Sequence, residues 1–169
     1  MTPVLYIFSG LPASGKTTLA QGLARHLKAT YVRIDTIEQA LRDLCGINVV
    51  AEGYRLSYRL AKDNLALGNT VIADSCNPIQ ITREEWEQVA TNSGCQFVNI
   101  EVICSDPKEH RTRVEERTST VPNLRLPTWQ EIVSREYEPW TQKRIVIDTA
   151  HQKPETSLQE LLGEISQAE

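Results

Sequence analysis

Positive charge is not in excess: 18 Lys and Arg face 22 Asp and Glu over 169 residues, a formal net charge of −4. Proteins that coat a nucleic-acid duplex by neutralising phosphates carry the opposite balance, so that class is disfavoured. No run of about 18 apolar residues is present, which argues against a membrane partner. The four cysteines, Cys45, Cys76, Cys95 and Cys104, stand 31, 19 and 9 residues apart, with no C-x-x-C or Cys/His grouping of the kind that holds zinc. Reduced thiols in a cytoplasmic protein fit that usage. Met1 to Ser9 is apolar but lacks a basic n-region and a small-residue cleavage site, so it does not read as a secretory leader. Repeats, low-complexity tracts and Gly/Ser linkers are missing too, and the expectation is one domain over 1–169, monomeric by default. A chain of this length with 40% hydrophobic residues is not disordered, and its core can bury roughly 70% of the unfolded surface.

Short apolar runs rich in β-branched residues lie at 3–9, 30–35, 70–74, 96–103 and 144–148. Segments of helical period separate them, the alternation expected of an α/β fold with a parallel sheet. Leu19, Leu23 and Leu27 make one helical stripe; Tyr54, Tyr58, Ala61 and Leu65 make a second; Leu158, Leu161, Leu162 and Ile165 make a third. Helix starts are signalled by Thr82 with Glu85, by Thr128 with Glu131, and by Asp106 followed by Pro107 and Glu109. The stretch 118–127, with two prolines, reads as a mobile loop.

Gly10-Leu11-Pro12-Ala13-Ser14-Gly15-Lys16-Thr17 matches G-x-x-x-x-G-K-[ST] in full, between a strand pattern and an amphipathic helix. Glycines let backbone N–H groups turn in around phosphate oxygens, and the helix N-terminus adds its positive dipole end. These residues and Thr18 are the expected ATP-binding set. Lys16 is expected to reach the β and γ phosphates and Thr17 to ligate Mg²⁺. No guanine-reading N-K-x-D pattern occurs, which leans toward ATP.

Ligands of open α/β sheets bind outside the carboxyl ends of the strands, where three aspartates close strand patterns. Asp35 is expected to be the general base toward a hydroxyl acceptor, with a helix cap as the structural alternative. Asp74 stands where an acid would hold water of the Mg²⁺ shell, and Asp148 reads mainly as a cap. From 108 to 125, five basic residues face three acids. Single arginines there can serve solvated i, i+4 pairs, but the segment as a whole, 108–127, reads as a small lid, with Arg117 aimed at phosphate. Arg42, Arg55, Tyr58 and Arg59 are further candidates for touching an acceptor, or for packing and solvation.

The phosphate loop, the strand leading to Asp35 and the arginine segment resemble the small P-loop kinases, above all the polynucleotide-kinase-like and zeta-toxin/chloramphenicol-phosphotransferase-like group, grouped with predicted kinases and small AAA-type ATPases. The resemblance covers nearly the whole chain. Ala73-Asp74-Ser75-Cys76-Asn77-Pro78 is similar to the D-x-x-N turn of such proteins, and Ser134 to Trp140 is similar to a subgroup feature. It implies a three-layer P-loop NTPase fold with a five-stranded parallel sheet in order 2-3-1-4-5, ATP and Mg²⁺ as cofactors, and a small-molecule hydroxyl as acceptor. It also implies Asp35 as base and Arg117 as a lid arginine. With no second helical domain and no sensor or arginine-finger block, ring assembly is not expected. A polynucleotide 5′-hydroxyl kinase and a non-catalytic ATP-binding regulatory module are the alternatives. The acidic excess lies wholly in 148–169, where Lys153 faces five acids, so it does not bar an anionic substrate elsewhere.

Overall fold

The computed structural model describes residues 2–168. Five strands, β1 (Val4–Ser9), β2 (Thr30–Arg33), β3 (Val71–Asp74), β4 (Gln96–Ile103) and β5 (Ile145–Asp148), form one parallel sheet in the order β2-β3-β1-β4-β5. The helices are α1 (Lys16–Leu27), α2 (Ile34–Cys45), α3 (Glu52–Ala66), α4 (Gln80–Asn92), α5 (Pro107–Glu116), α6 (Trp129–Val133) and α7 (Pro154–Ala168). The expected strand order and three-layer build are therefore present. None of the described helices is long and apolar enough to cross a membrane.

Period-2 alternation in β1 divides the core. Tyr6 and Phe8 face α1 and α7 with Leu19, Leu23, Ile100, Ile147 and Leu161, while Leu5 and Ile7 face α3 and α4 with Ala61, Leu65, Trp86 and Ala90. The three helical stripes read from the sequence supply these layers, except that Leu27 turns out toward solvent.

Asp106 caps α5, accepting from the backbone N–H groups of Lys108 and Glu109, and Thr128 forms a full capping box with Glu131. Two boundaries differ from expectation. The second strand stops at Arg33, so Asp35 lies in the first turn of α2, where a carboxylate favours the helix dipole. The start of α4 is Gln80, and Thr82 sits inside the helix with its hydroxyl donating to the Ile79 carbonyl. The N–H of Gln80 is instead met by the carboxylate of Glu138, a partner 58 residues away that no local pattern reveals.

Glu138 belongs to a segment held by one fully buried cation. Arg83 donates through Nε to the Asn77 carbonyl and through its terminal nitrogens to the carbonyls of Pro78, Glu138 and Pro139. Its guanidinium lies 5.1 Å from the Tyr137 ring centre and 4.1 Å from that of Trp140. The 134–140 stretch is thus fastened to the β3–α4 loop. Arg83→Met should leave these carbonyls without donors and lower stability by about 3 kcal/mol, and Arg83→Lys should restore little because an ammonium cannot span four acceptors in a plane. Urea denaturation of the three proteins checks this.

Candidate functional site

A cleft of about 980 Å³ opens at the carboxyl ends of the strands, with the phosphate loop, the start of α2 and the 117–127 loop in its walls. The glycine spacing has a steric reason. Gly10 has φ +143, and a Cβ there would lie 2.2 Å from the Val102 carbonyl oxygen; Gly15 has φ +95 and closes against the Thr149 side chain. Gly15 is also the N-cap of α1 and offers no side-chain acceptor, so the first N–H groups of α1 keep no capping partner from it. The Ser14 hydroxyl is buried in this loop without a hydrogen-bond partner among the described residues.

The loop is clamped from several sides. Gly10 N–H donates to the Cys76 carbonyl (3.1 Å), and Asn77 Nδ2 donates to the Phe8 carbonyl and Ser9 Oγ. His110 Nε2 meets the Pro12 carbonyl at 2.8 Å. Thr149 Oγ1 donates to the Ser14 carbonyl at 2.7 Å and accepts from Arg113, whose other terminal nitrogen reaches Glu109 and the Thr149 carbonyl. Arg113 is therefore a brace, and Thr149, which no sequence motif marks, is a structural member of the site. Asp148 accepts from the N–H groups of Ser105 and Ala150, and since α7 starts only at Pro154 it caps no helix but ties together the loops after β4 and β5.

Lys16 is buried, and its Nζ lies 2.8 Å from Asp74 Oδ1; Tyr31 OH donates to Oδ2 at 2.7 Å. Burial alone would lower the Lys16 pKa, but the Asp74 carboxylate outweighs it and raises the value to about 12. Burial likewise pushes Asp74 up, yet Lys16, Tyr31 and the Thr17 side chain hold it below the usual carboxylate range. An ionised carboxylate and a hydroxyl, both hard oxygen donors, thus lie together beneath the loop, which is a donor set that fits Mg²⁺. A second group, Asp106, Glu109 and His151, lies outside the cleft, and its carboxylates already serve the α5 cap, Arg113 and His151.

The structure brings Asp35 into the same cleft wall, with its side chain 49% exposed and Arg33 at 3.9 Å. Arg117 ends α5 and lines the cleft; its Nε is buried with no partner among the described residues, and burial lowers its pKa, as do the neighbouring Arg33 and Arg135. Leu11, Pro12, Ala13, Thr17 and Thr18 also line the cleft. Arg111 pairs with Glu115 on an exposed face, the solvated alternative, and Arg125 pairs with Glu131. Of the four acceptor-contact candidates only Arg42 reaches the cleft, paired with Glu38; Tyr58 packs edge-on against Trp86. Arg33 and Arg135 also line the cleft; Arg135 lies in the 134–140 stretch noted for its resemblance, but nothing local distinguishes either from a solvated arginine. The 117–127 loop is tied to the opposite wall by Arg33 donating to Thr120 and by Asn123 donating to Asp43.

Residues 5–136 match the AAA domain family AAA_33. Among curated proteins, Replication factor C small subunit 2 of Pyrobaculum arsenaticum is 36% identical over 92 residues, 52% of this chain but only 29% of that protein. The chain thus spans less than a third of the length of that relative. Among solved structures, Mycobacterium tuberculosis APS kinase CysC in complex with AMPPNP and APS superposes with a TM-score of 0.69 at 17% identity, covering 98% of both chains. Chaetomium thermophilum Kti12 in complex with ADP-AlF3 gives 0.71 at 24% identity, covering 97% of this chain and 98% of that one. The likeness to these structures is one of fold, that of P-loop kinases.

Removing one member of a buried ion pair strands the other. Asp74→Ala should destabilise the protein by about 3–5 kcal/mol in denaturant titrations near pH 7, and Lys16→Met combined with Asp74→Leu should recover much of it. Asp74 is depressed, so its contribution is complete above about pH 4, the ordinary carboxylate range, and is lost as pH falls below it. Lys16 is raised, so its contribution is complete below about pH 10 and lost as pH rises through about 12. Stability measured against pH should lack any step from this pair between those limits.

Proposed function

Because the chain belongs to the AAA domain family AAA_33 and carries a P-loop kinase fold, we propose that it is a kinase moving the γ-phosphoryl group of ATP to a hydroxyl of a small molecule. The observation that carries this reading is one cleft lined by the phosphate loop, Lys16, Thr17, Asp35 and Arg117 together. A half-exposed carboxylate in the wall of that cleft is open to an acceptor hydroxyl, which supports a transfer reaction over binding alone.

Sheet order supports a division of the cleft. Thr149, Gln152 and Ser157 line it beside β5, at one edge of the sheet, and Asp35 lines it beside β2, at the other. The nucleotide base is assigned to the β5 side, the phosphates to Gly10–Thr18 over β1, and the acceptor to the β2 side.

In the proposed reaction the Asp35 carboxylate takes the proton of the acceptor hydroxyl. The acceptor oxygen forms its bond to the γ-phosphorus as the bond from that phosphorus to the bridging β–γ oxygen breaks, and ADP leaves with the electron pair. Lys16 is withdrawn onto Asp74 until phosphate charge competes for it, and then follows that charge from the β to the γ oxygens. Arg117 donates to the transferring group from the 108–127 lid, which also excludes water. Thr17 and, through water, Asp74 would hold Mg²⁺, which would supply neutralisation of phosphate charge. The N–H groups at the start of α1 hold the phosphates in place throughout.

Labelled ATP offered with sugars, nucleosides, aminoglycoside-like alcohols and a 5′-hydroxyl oligonucleotide tests the proposal. Transfer to a small alcohol is the expected result, and transfer to the oligonucleotide alone would favour a polynucleotide kinase. Lys16→Ala should weaken binding of a fluorescent ATP analogue and abolish transfer; undiminished transfer would overturn the scheme. Asp35→Asn should keep nucleotide affinity within about threefold while lowering transfer by on the order of 10² or more. An equal loss of both would reduce Asp35 to a helix-capping role.

A further inference from the structure

The cations lining the cleft fall into two sets. Lys16, Arg42, Arg113 and Arg125 each have a carboxylate within 3.3 Å. Arg33, Arg117 and Arg135 do not. Arg33 has a side chain only 14% exposed, its nearest acid is Asp35 at 3.9 Å, and its Nε is buried without a partner among the described residues. Its one hydrogen bond is from Nη1 to the Thr120 hydroxyl. Arg117 has the same orphaned Nε, and the polar contact of Arg135 is a long one of 3.8 Å to the Cys76 thiol. All three guanidiniums line the one cleft, Arg117 lies near both of the others, and the carboxylates lining the cleft beside them are Asp35 and the Arg42-paired Glu38.

With Glu38 taken up by Arg42, the three cations face Asp35 alone and leave an excess of positive charge in that part of the cleft. Arrangements of that kind are costly to hold together unless an anion completes them. The nucleotide phosphates are accounted for by the phosphate loop, the start of α1 and Lys16, and Arg117 is aimed at the transferring group. Arg33 and Arg135 remain, from separate elements: Arg33 from the end of β2 and Arg135 from the stretch after α6 that Arg83 fastens in place. A carboxylate is satisfied by a single guanidinium fork in one plane, whereas donors arriving from two elements match the several oxygens of a tetrahedral group.

We propose that the acceptor carries its own tetrahedral oxyanion, a phosphate or sulfate group, bound by Arg33 and Arg135 beside Asp35. The word acceptor rests on the kinase reading above; the anion site does not. Neutral sugars and uncharged nucleosides then leave this pair of arginines unmet, and anionic alcohols satisfy them while bringing a hydroxyl toward the carboxylate.

Equilibrium dialysis of radiolabelled inorganic sulfate tests the site, using protein saturated with AMPPNP and Mg²⁺ so that the phosphate loop is occupied, at ionic strength held constant with chloride. One saturable sulfate per chain is expected, weakened at least tenfold in Arg135→Ala and in Arg33→Gln, with affinity for a fluorescent ATP analogue kept within about twofold. Arg135 is exposed, so its variant remains informative if loss of the partly buried Arg33 disturbs folding. No saturable sulfate on the nucleotide-filled protein, or sulfate binding unchanged in Arg135→Ala, overturns the proposal even if phosphoryl transfer to some alcohol is intact. In the labelled-ATP panel, transfer to phosphorylated or sulfated alcohols over their neutral counterparts is expected, and the reverse preference overturns the assignment of the anion to the acceptor. Failure of all transfer would strike the kinase reading instead and leave the dialysis result standing.

Discussion

An ammonium buried at the end of a parallel sheet must be met by a carboxylate, and the pairing of Lys16 with Asp74 fixes most of the site around it. Asp74 stands opposite Phe8 on one side and Arg33 on the other in the strand register, so the same three strands that build the core set the distance between the phosphate loop and α2. Tyr31, two residues before Arg33, takes the second carboxylate oxygen. A slip of one residue between β2 and β3 would turn Tyr31 away from Asp74 and turn Arg33 to the opposite face. The spacing of these groups is inherited from strand pairing.

Around that pair the cleft is braced by groups that serve position and do no chemistry. Thr149 and Arg113 hold Ser14 from the β5 side, His110 holds Pro12, and Asn77 holds the end of β1. Arg83 does the same at longer range, fixing the 137–140 stretch and with it the place from which Arg135 enters the cleft. A buried arginine between two aromatic rings, far from the phosphate loop in sequence, thereby decides where a cleft-lining cation stands. In the proposed division of labour Arg113 braces, Lys16 is held by Asp74 until phosphate competes for it, and Arg33, Arg117 and Arg135 are left for anions.

The strands, the phosphate loop and two of the three helix caps are legible in the sequence because each depends on residues within about one turn or one strand of each other, whereas the strand order is implied only by the resemblance. Asp106 with Pro107 and Glu109 is such a case, and so is the glycine spacing of 10–17. Asp35 follows Tyr31-Val32-Arg33-Ile34, which reads as strand to its end, yet β2 stops at Arg33 and Asp35 lies in the first turn of α2, because β-branched Ile34 gives no local sign that the helix has begun. The α4 start was misplaced because its acceptor, Glu138, is supplied from 58 residues away. No local pattern gives the positions that Arg33, Arg135, Thr149 and Arg83 take, although Arg135 lies in the 134–140 stretch noted for its resemblance. Their roles exist only once β2, β3, β5 and the segment after α6 meet, and a one-dimensional pattern holds no record of such meetings.

The central claim is that γ-phosphate leaves ATP for carbon-bound oxygen and not for water. Phosphorus NMR of the protein with Mg²⁺ and ATP, run with and without a pool of phosphorylated and sulfated alcohols, separates the two fates in one spectrum. The account predicts that ADP accumulates in step with a new phosphomonoester signal, only when the pool is present. Growth of inorganic phosphate alone, at the same rate with or without the pool, would contradict it.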